Sequence, residues 1–172
     1  MDITKNYIKA TLCLPIDGDK VLLAQKTRKI GVGKFNGTGG ELEPGETLRE
    51  CVVRESLKEL GITIDQRNME HVAIIDFFNR RMNGTVFRAR VWVYIARGWK
   101  GMFRAGEEMI NPTLFPLGNL PFDSMMSADR CWIPEVLFEK RKIRAKFHYS
   151  PNQEDLEGEP IIEDLPADML DL

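Results

Sequence analysis

The sequence predicts a mixed α/β domain, a sheet packed with helices, and three observations carry that prediction. Strand-like runs precede and follow one strongly patterned helix between about residues 47 and 60. Asn83-Gly84, a favoured hairpin turn, separates two long runs rich in β-formers, and a second helical pattern follows residue 130. A length of 172 residues with 43% hydrophobic content suits a single domain with a sizeable core. No internal repeat and no second domain is visible.

Taken in order, residues 6–14 and 20–26 read as strands joined at Asp17-Gly18-Asp19. Residues 39–62, GGELEPGETLRECVVRESLKELGI, then run from a glycine-rich turn through Pro44 and Gly45 into the helix at 47–60. Glu46 and Glu50 fall where a positive helix end favours them, and Gly61 can take the left-handed conformation that closes a helix. At about 100° per residue, Glu55 and Glu59 lie roughly 40° apart on one face. Val53, Leu57 and Leu60 fall on the opposite face, which is expected to be the buried one. Leu48, Cys51 and Val52 share the carboxylate side, so another element must cover that end. Residues 71–80 and 86–97 pair across a two-residue turn at Asn83-Gly84. Asp129 or Ser127 caps a helix over 131–145, with Pro134 tolerated in its first turn.

Hard divalent cations take carboxylate, carbonyl and water oxygens and usually bridge to substrate phosphates, which is what a glycine turn beside two helical carboxylates offers. Taken alone, the two glutamates equally describe the solvated face of an amphipathic helix. The wider pattern decides. Gly40, five residues, Glu46, seven residues, Arg54-Glu55, then Glu59 and Gly61-Ile62 resembles the Nudix box, GxxxxxE, seven residues, REUxEExGU with U aliphatic. Ser56 stands at an aliphatic position of the box, and Lys58 at the first of its paired glutamates. The resemblance implies an α/β/α sandwich with a mixed sheet between helices, and a Mg²⁺ site that also accepts Mn²⁺. It makes Glu55 and Glu59 metal ligands or base and the Gly39 carbonyl a further ligand. Gly40 and Gly61 are structural glycines of the box, and Glu46 and Arg54 fix the loop to the helix. Lys58 is expected to weaken binding of a second or third metal, or to contact phosphate.

Residues 11–41 and 105–134 resemble the purine-type Nudix hydrolases, of the 8-oxo-dGTP diphosphatase kind, that remove oxidised purine nucleoside triphosphates. By that resemblance Asn36 contacts the base, Glu108 binds metal or acts as base, and Asp129 is the second of two adjacent aspartates that read the base edge. The first of those is Ala128 here, and a base-stacking tryptophan is Met126. Lys26, Phe77 and Met126 complete the substrate-binding candidates; alternation requires one of Phe77 and Phe78 to face the core. The implied reaction is attack of water, activated by Glu55, by Glu108 or by the metal, on a phosphorus of the diphosphate bridge, releasing a nucleoside monophosphate and pyrophosphate. Two rival readings stand beside it. The basic run 139–144 on the second helix favours an RNA 5′-pyrophosphohydrolase, and Lys58 favours a non-catalytic nucleotide-binding module.

The remaining features are bland. No 18-residue apolar run exists and MDITKNYIKA lacks a secretory apolar stretch, so the expectation is a cytoplasmic protein without a membrane partner. Cys13, Cys51 and Cys131 are scattered and odd in number, which fits reduced core thiols. His71 and His148 belong to no recognisable triad. Of 26 acidic residues, eight lie in 152–172, where there is no Lys or Arg; residues 1–151 thus carry 24 basic residues against 18 acidic, a net +6. A basic body steers polyanionic nucleotides. The division expected is a domain over 1–151 and an acidic, flexible tail over 152–172.

Overall fold

A computed structural model describes residues 7–170. Asn6, where the first strand was expected to begin, and Asp171 of the acidic tail lie outside the described residues. The chain forms β1 (Tyr7–Asp17), β2 (Lys20–Lys26), β3 (Phe35–Asn36), β4 (Thr38–Glu41), α1 (Leu48–Leu60), β5 (Met69–Arg80), β6 (Val86–Arg97), β7 (Met109–Pro116), α2 (Asp129–Leu137), β8 (Ile143–Tyr149) and β9 (Ile161–Asp164). The sheet runs β3-β2-β1-β6-β5-β8-β9, with β4 added on β1 and β7 on β2. β1 pairs β6 and β5 pairs β8 in parallel, the other pairs being antiparallel, so the sheet is mixed. One buried cluster joins Leu14, Ile75, Val93 and Phe147 to Trp132, Ile133 and Val136 of α2; the other joins Cys13, Leu22 and Tyr94 to Val52 and Leu60 of α1. The sheet therefore lies between the two helices.

α1 begins with a reciprocal capping box: the Glu50 N–H donates to Thr47 Oγ1 at 3.2 Å, and the Thr47 N–H to Glu50 Oε2 at 2.8 Å. It ends at Gly61, whose φ of 71° is left-handed. Apart from Leu60, its buried face is the reverse of the one expected. Cys51, Val52, Glu55, Ser56, Glu59 and Leu60 are buried, whereas Leu57 is 51% exposed. The carboxylate side turns inward because it packs on the glycines of β4, where polar partners wait. Ser56 departs from the aliphatic pattern for the same reason, sharing a buried 2.7 Å hydrogen bond with the Thr38 hydroxyl.

Three further expectations are corrected. The second helix starts two residues early and stops at Leu137, with Ala128 at its N-cap and no capping side chain; Asp129 is already helical, Ser127 donates to the Glu154 carbonyl, and Pro134 is interior. From residue 143 the apolar positions Ile143, Ala145, Phe147 and Tyr149 recur every second residue and are all buried, a strand period that makes β8. The basic run 139–144 therefore lies on a turn and the start of β8, where Arg141 pairs with Glu135 and Asp164. The β5–β6 connection spans five residues, 81–85, rather than two, with Gly84 left-handed at φ 85°. The acidic tail is not without fixed structure: β9 pairs antiparallel with β8 along Ile143–Lys146, and Leu165 is buried.

Candidate active site

Two glycines and two glutamates build the junction between β4 and α1. The Gly39 N–H donates to Glu59 Oε2 at 3.0 Å, and a Cβ at 39 would stand 2.0 Å from the Thr11 carbonyl oxygen. A Cβ on Gly40 would stand 2.7 Å from the Glu55 carboxyl carbon, so the missing side chain is what lets this carboxylate reach the strand. Arg54 donates to Glu55 and forks onto Glu46, Nε to Oε1 at 2.6 Å and Nη2 to Oε2 at 2.9 Å, while also reaching the Glu41 carbonyl. That fork holds the Glu46 carboxyl down at about 2 and ties the loop to the helix. Burial pushes the Glu59 carboxyl up to about 8, outweighing the Gly39 N–H that favours its charge. Such a carboxylate gains from a cation placed beside it.

Glu59 lines a cavity of about 260 Å³ together with Gly39, Gly40, Lys26 and Asn36. Its apolar walls include Phe77, Phe87 and Met126, and Asp129, Asn79 and Tyr149 line it as well. Phe77 belongs to the core side of β5 and Phe78 to the other, where it stacks on His148 at 4.4 Å. Burial pushes the Lys26 ammonium below its usual range. Asp129 is 5% exposed; Trp132 Nε1 donates to its Oδ1 at 3.0 Å, and Oδ2 is buried with no hydrogen-bond partner among the described residues. Burial pushes this carboxyl up to about 7. Asn36 accepts the Gly37 N–H on Oδ1 at 2.9 Å. A Cβ on Gly31 would stand 2.9 Å from Met126 Sδ, so glycine at 31 lets the loop approach Met126 without displacing it.

A sequence model of the NUDIX domain matches residues 6–136. The chain belongs to the Nudix family. Among its relatives are the oxidized purine nucleoside triphosphate hydrolases of Danio rerio, 34% identical over 76% of this chain and 80% of that one, and of Mus musculus, 32% identical over 81% and 85%. Among solved structures, the MutT protein of Bacillus halodurans superposes with a TM-score of 0.74 at 27% identity, covering 92% of this chain and 99% of its own.

Within this Nudix site, not all the residues singled out from sequence come together. Glu55, Glu59, Gly39 and Gly40 converge at the junction, and hard oxygen donors around a glycine-cleared strand fit a divalent cation of the Mg²⁺ or Mn²⁺ kind. Glu108 acts on Glu59 electrostatically but is itself held in ion pairs: Lys58 Nζ lies 3.0 Å from its Oε1, and Arg28 donates to the same oxygen. Burial raises the Glu108 carboxyl, but the Lys58 hydrogen bond and the nearby cations outweigh it and hold it below its usual range. Among the described residues no three His, Cys, Asp or Glu side chains are grouped to hold a metal. Arg28, Asn79 and Tyr149 were not foreseen. Asn79 was within reach, two residues beyond Phe77 on one strand face; Tyr149 was hidden because the helix expected over 131–145 covered the start of β8 and so concealed the strand that carries it.

Proposed function

We propose that this Nudix protein hydrolyses purine nucleoside triphosphates, oxidised ones included, to a nucleoside monophosphate and pyrophosphate in the presence of Mg²⁺. The observation that carries the reading is that one cavity holds both Glu59 with the Gly39–Gly40 strand and, among apolar walls, Asn36 and the buried Asp129 carboxylate. Phosphates and base thus have adjoining places. Its 260 Å³ is just below the roughly 300–1,000 Å³ of sites for drug-sized ligands.

Glu55, Glu59 and the Gly39 carbonyl would hold the cation, which neutralises charge on the phosphates and orients them. Lys26 extends into the same cavity and supplies a further positive charge to the phosphate chain. Lys58 holds Glu108 in the free protein; a triphosphate competes for that ammonium and leaves the Glu108 carboxylate to accept a proton from the attacking water. Asn36 and Asp129 bind the base, and Met126 gives it a flexible apolar surface in place of an aromatic platform. The cytoplasmic location expected from the sequence goes with a nucleotide substrate, and no helix among the described residues is long and apolar enough to cross a membrane.

The test is product release from dGTP, 8-oxo-dGTP, other nucleotides and triphosphorylated RNA, with Glu59→Gln as control. The expected result is Mg²⁺-dependent turnover of purine triphosphates that drops at least a hundredfold in the variant. Preference for the RNA would favour the rival reading, and nucleotide binding indifferent to Mg²⁺ and to Glu59→Gln would mean a binding module.

A further inference from the structure

Three polar side chains of low exposure, Asn79, Asp129 and Tyr149, line the cavity, and one of their atoms, Asp129 Oδ2, is buried without a hydrogen-bond partner among the described residues. Asn79 is 5% exposed and lines the cavity. Tyr149 is 3% exposed and is the direct cross-strand partner of Asn79 between β5 and β8. Its hydroxyl oxygen accepts the Ala128 N–H at 3.0 Å, which leaves the hydroxyl proton free to donate. Asp129, the residue after Ala128, brings the uncompensated Oδ2. A buried polar group normally finds a partner, and leaving one unpaired is costly, so the bare Asp129 Oδ2, with the unused hydroxyl proton of Tyr149 and the carboxamide of Asn79 on the same cavity, points to a ligand that completes them.

We propose that Asn79 and Tyr149 are specificity-determining residues which, with Asp129, read the lactam edge of a 6-oxopurine; this rests on the nucleotide-hydrolase reading above. The argument is one of complementarity. Tyr149 is set up to donate, because the Ala128 N–H already occupies an acceptor position and the hydroxyl proton is unused. Asp129 Oδ2 beside it is an acceptor. The complement is a carbonyl oxygen next to a ring N–H, as a 6-oxopurine presents at O6 and N1. The Asn79 carboxamide, which both donates and accepts, serves the neighbouring position on either side of that carbonyl. Adenine carries the reverse order, an amino donor beside a ring acceptor, and meets the same pair only if the base slides within the cavity. A site built on such bonds rejects a base lacking them far better than an apolar pocket does.

The experiment compares dGTP with the 2-aminopurine deoxynucleoside triphosphate, which keeps the 2-amino group but lacks O6, in the native chain, Tyr149→Phe and Asn79→Leu. Calorimetric binding of the two corresponding monophosphates runs in parallel. The native protein is expected to favour the guanine nucleotide at least tenfold in both readouts. Tyr149→Phe should lose about tenfold for guanine through KM with kcat kept, and change 2-aminopurine less than twofold. Asn79→Leu should weaken guanine binding without touching the Ala128 contact. Equal losses for both bases would mean that Tyr149 only supports α2, and no loss for either would mean that the base lies elsewhere; each overturns the proposal. Selective binding of the guanine monophosphate without turnover of the triphosphate would uphold the specificity and remove the hydrolase reading.

Discussion

At the residue scale, the glycines of β4 are separable by what a methyl group would strike. At Gly39 it meets backbone, 2.0 Å from the Thr11 oxygen, so Gly39→Ala should fail to fold. At Gly40 it meets the end of a flexible side chain, the Glu55 carboxyl at 2.7–2.9 Å. Gly40→Ala should therefore fold normally while displacing Glu55 and losing about a hundredfold in kcat/KM, the usual effect of an ångström-scale misplacement. Steady-state kinetics beside a melting curve check both. Asp129 gives a pH prediction. Its carboxyl titrates near 3.8 in an unfolded chain and near 7 in the fold, so the folded state binds the proton more tightly and stability falls as pH rises from about 4 to 7. Asp129→Asn, uncharged throughout, should gain on the native chain across that window and hold a constant advantage above it. A stability gap independent of pH would show that this carboxyl carries no such penalty. The box residues were legible because their spacing is fixed by helix geometry and by the need for bare backbone. The clamp of Lys58 and Arg28 on Glu108 was not, since it joins residues 50 and 80 positions apart.

At the element scale, α1 was legible in extent but inverted in orientation. Its termini follow from Thr47, Glu50 and Gly61, which act locally. Which side is buried depends on the partner, and the Gly39–Gly40 strand accepts carboxylates and a serine in place of leucines. The Thr38–Ser56 hydrogen bond makes this measurable. Ser56→Ala should cost about 1–3 kcal/mol by leaving the Thr38 hydroxyl buried and unpaired, and adding Thr38→Val should recover most of that loss. Urea denaturation of the two single variants and the double variant reads the coupling; additive losses would mean that the bond is not formed. α2 and β8 show the opposite failure. The buried alternation of Ile143, Ala145, Phe147 and Tyr149 was present in the sequence, but the neighbouring charges of 139–144 were given a helical reading that concealed it.

At the scale of the whole molecule, the sheet gathers the candidate catalytic and base-binding residues around one cavity. β4 carries the glycines to α1, while β5, β8 and the start of α2 bring Phe77, Asn79, Tyr149 and Asp129 to the same cavity. The long hairpin and the two helices were foreseeable from pattern. The parallel pairings of β1 with β6 and β5 with β8 were not, because nothing local records them. Nor was β9, whose acidic composition resembles that of a linker. Deleting residues 157–172 should bare the β8 edge and remove the buried Leu165, worth about 1.5–3 kcal/mol, giving a lower melting temperature and a tendency to aggregate. An unchanged melting curve would show β9 to be a passive addition. The central claim is that the Glu55–Glu59 junction directs water to the diphosphate bridge of a purine nucleotide. Phosphorus NMR of dGTP turnover with Mg²⁺ tests it most directly. The account predicts dGMP and pyrophosphate from the native chain and neither from Glu59→Gln; release of dGDP and phosphate, or turnover surviving in that variant, would contradict it.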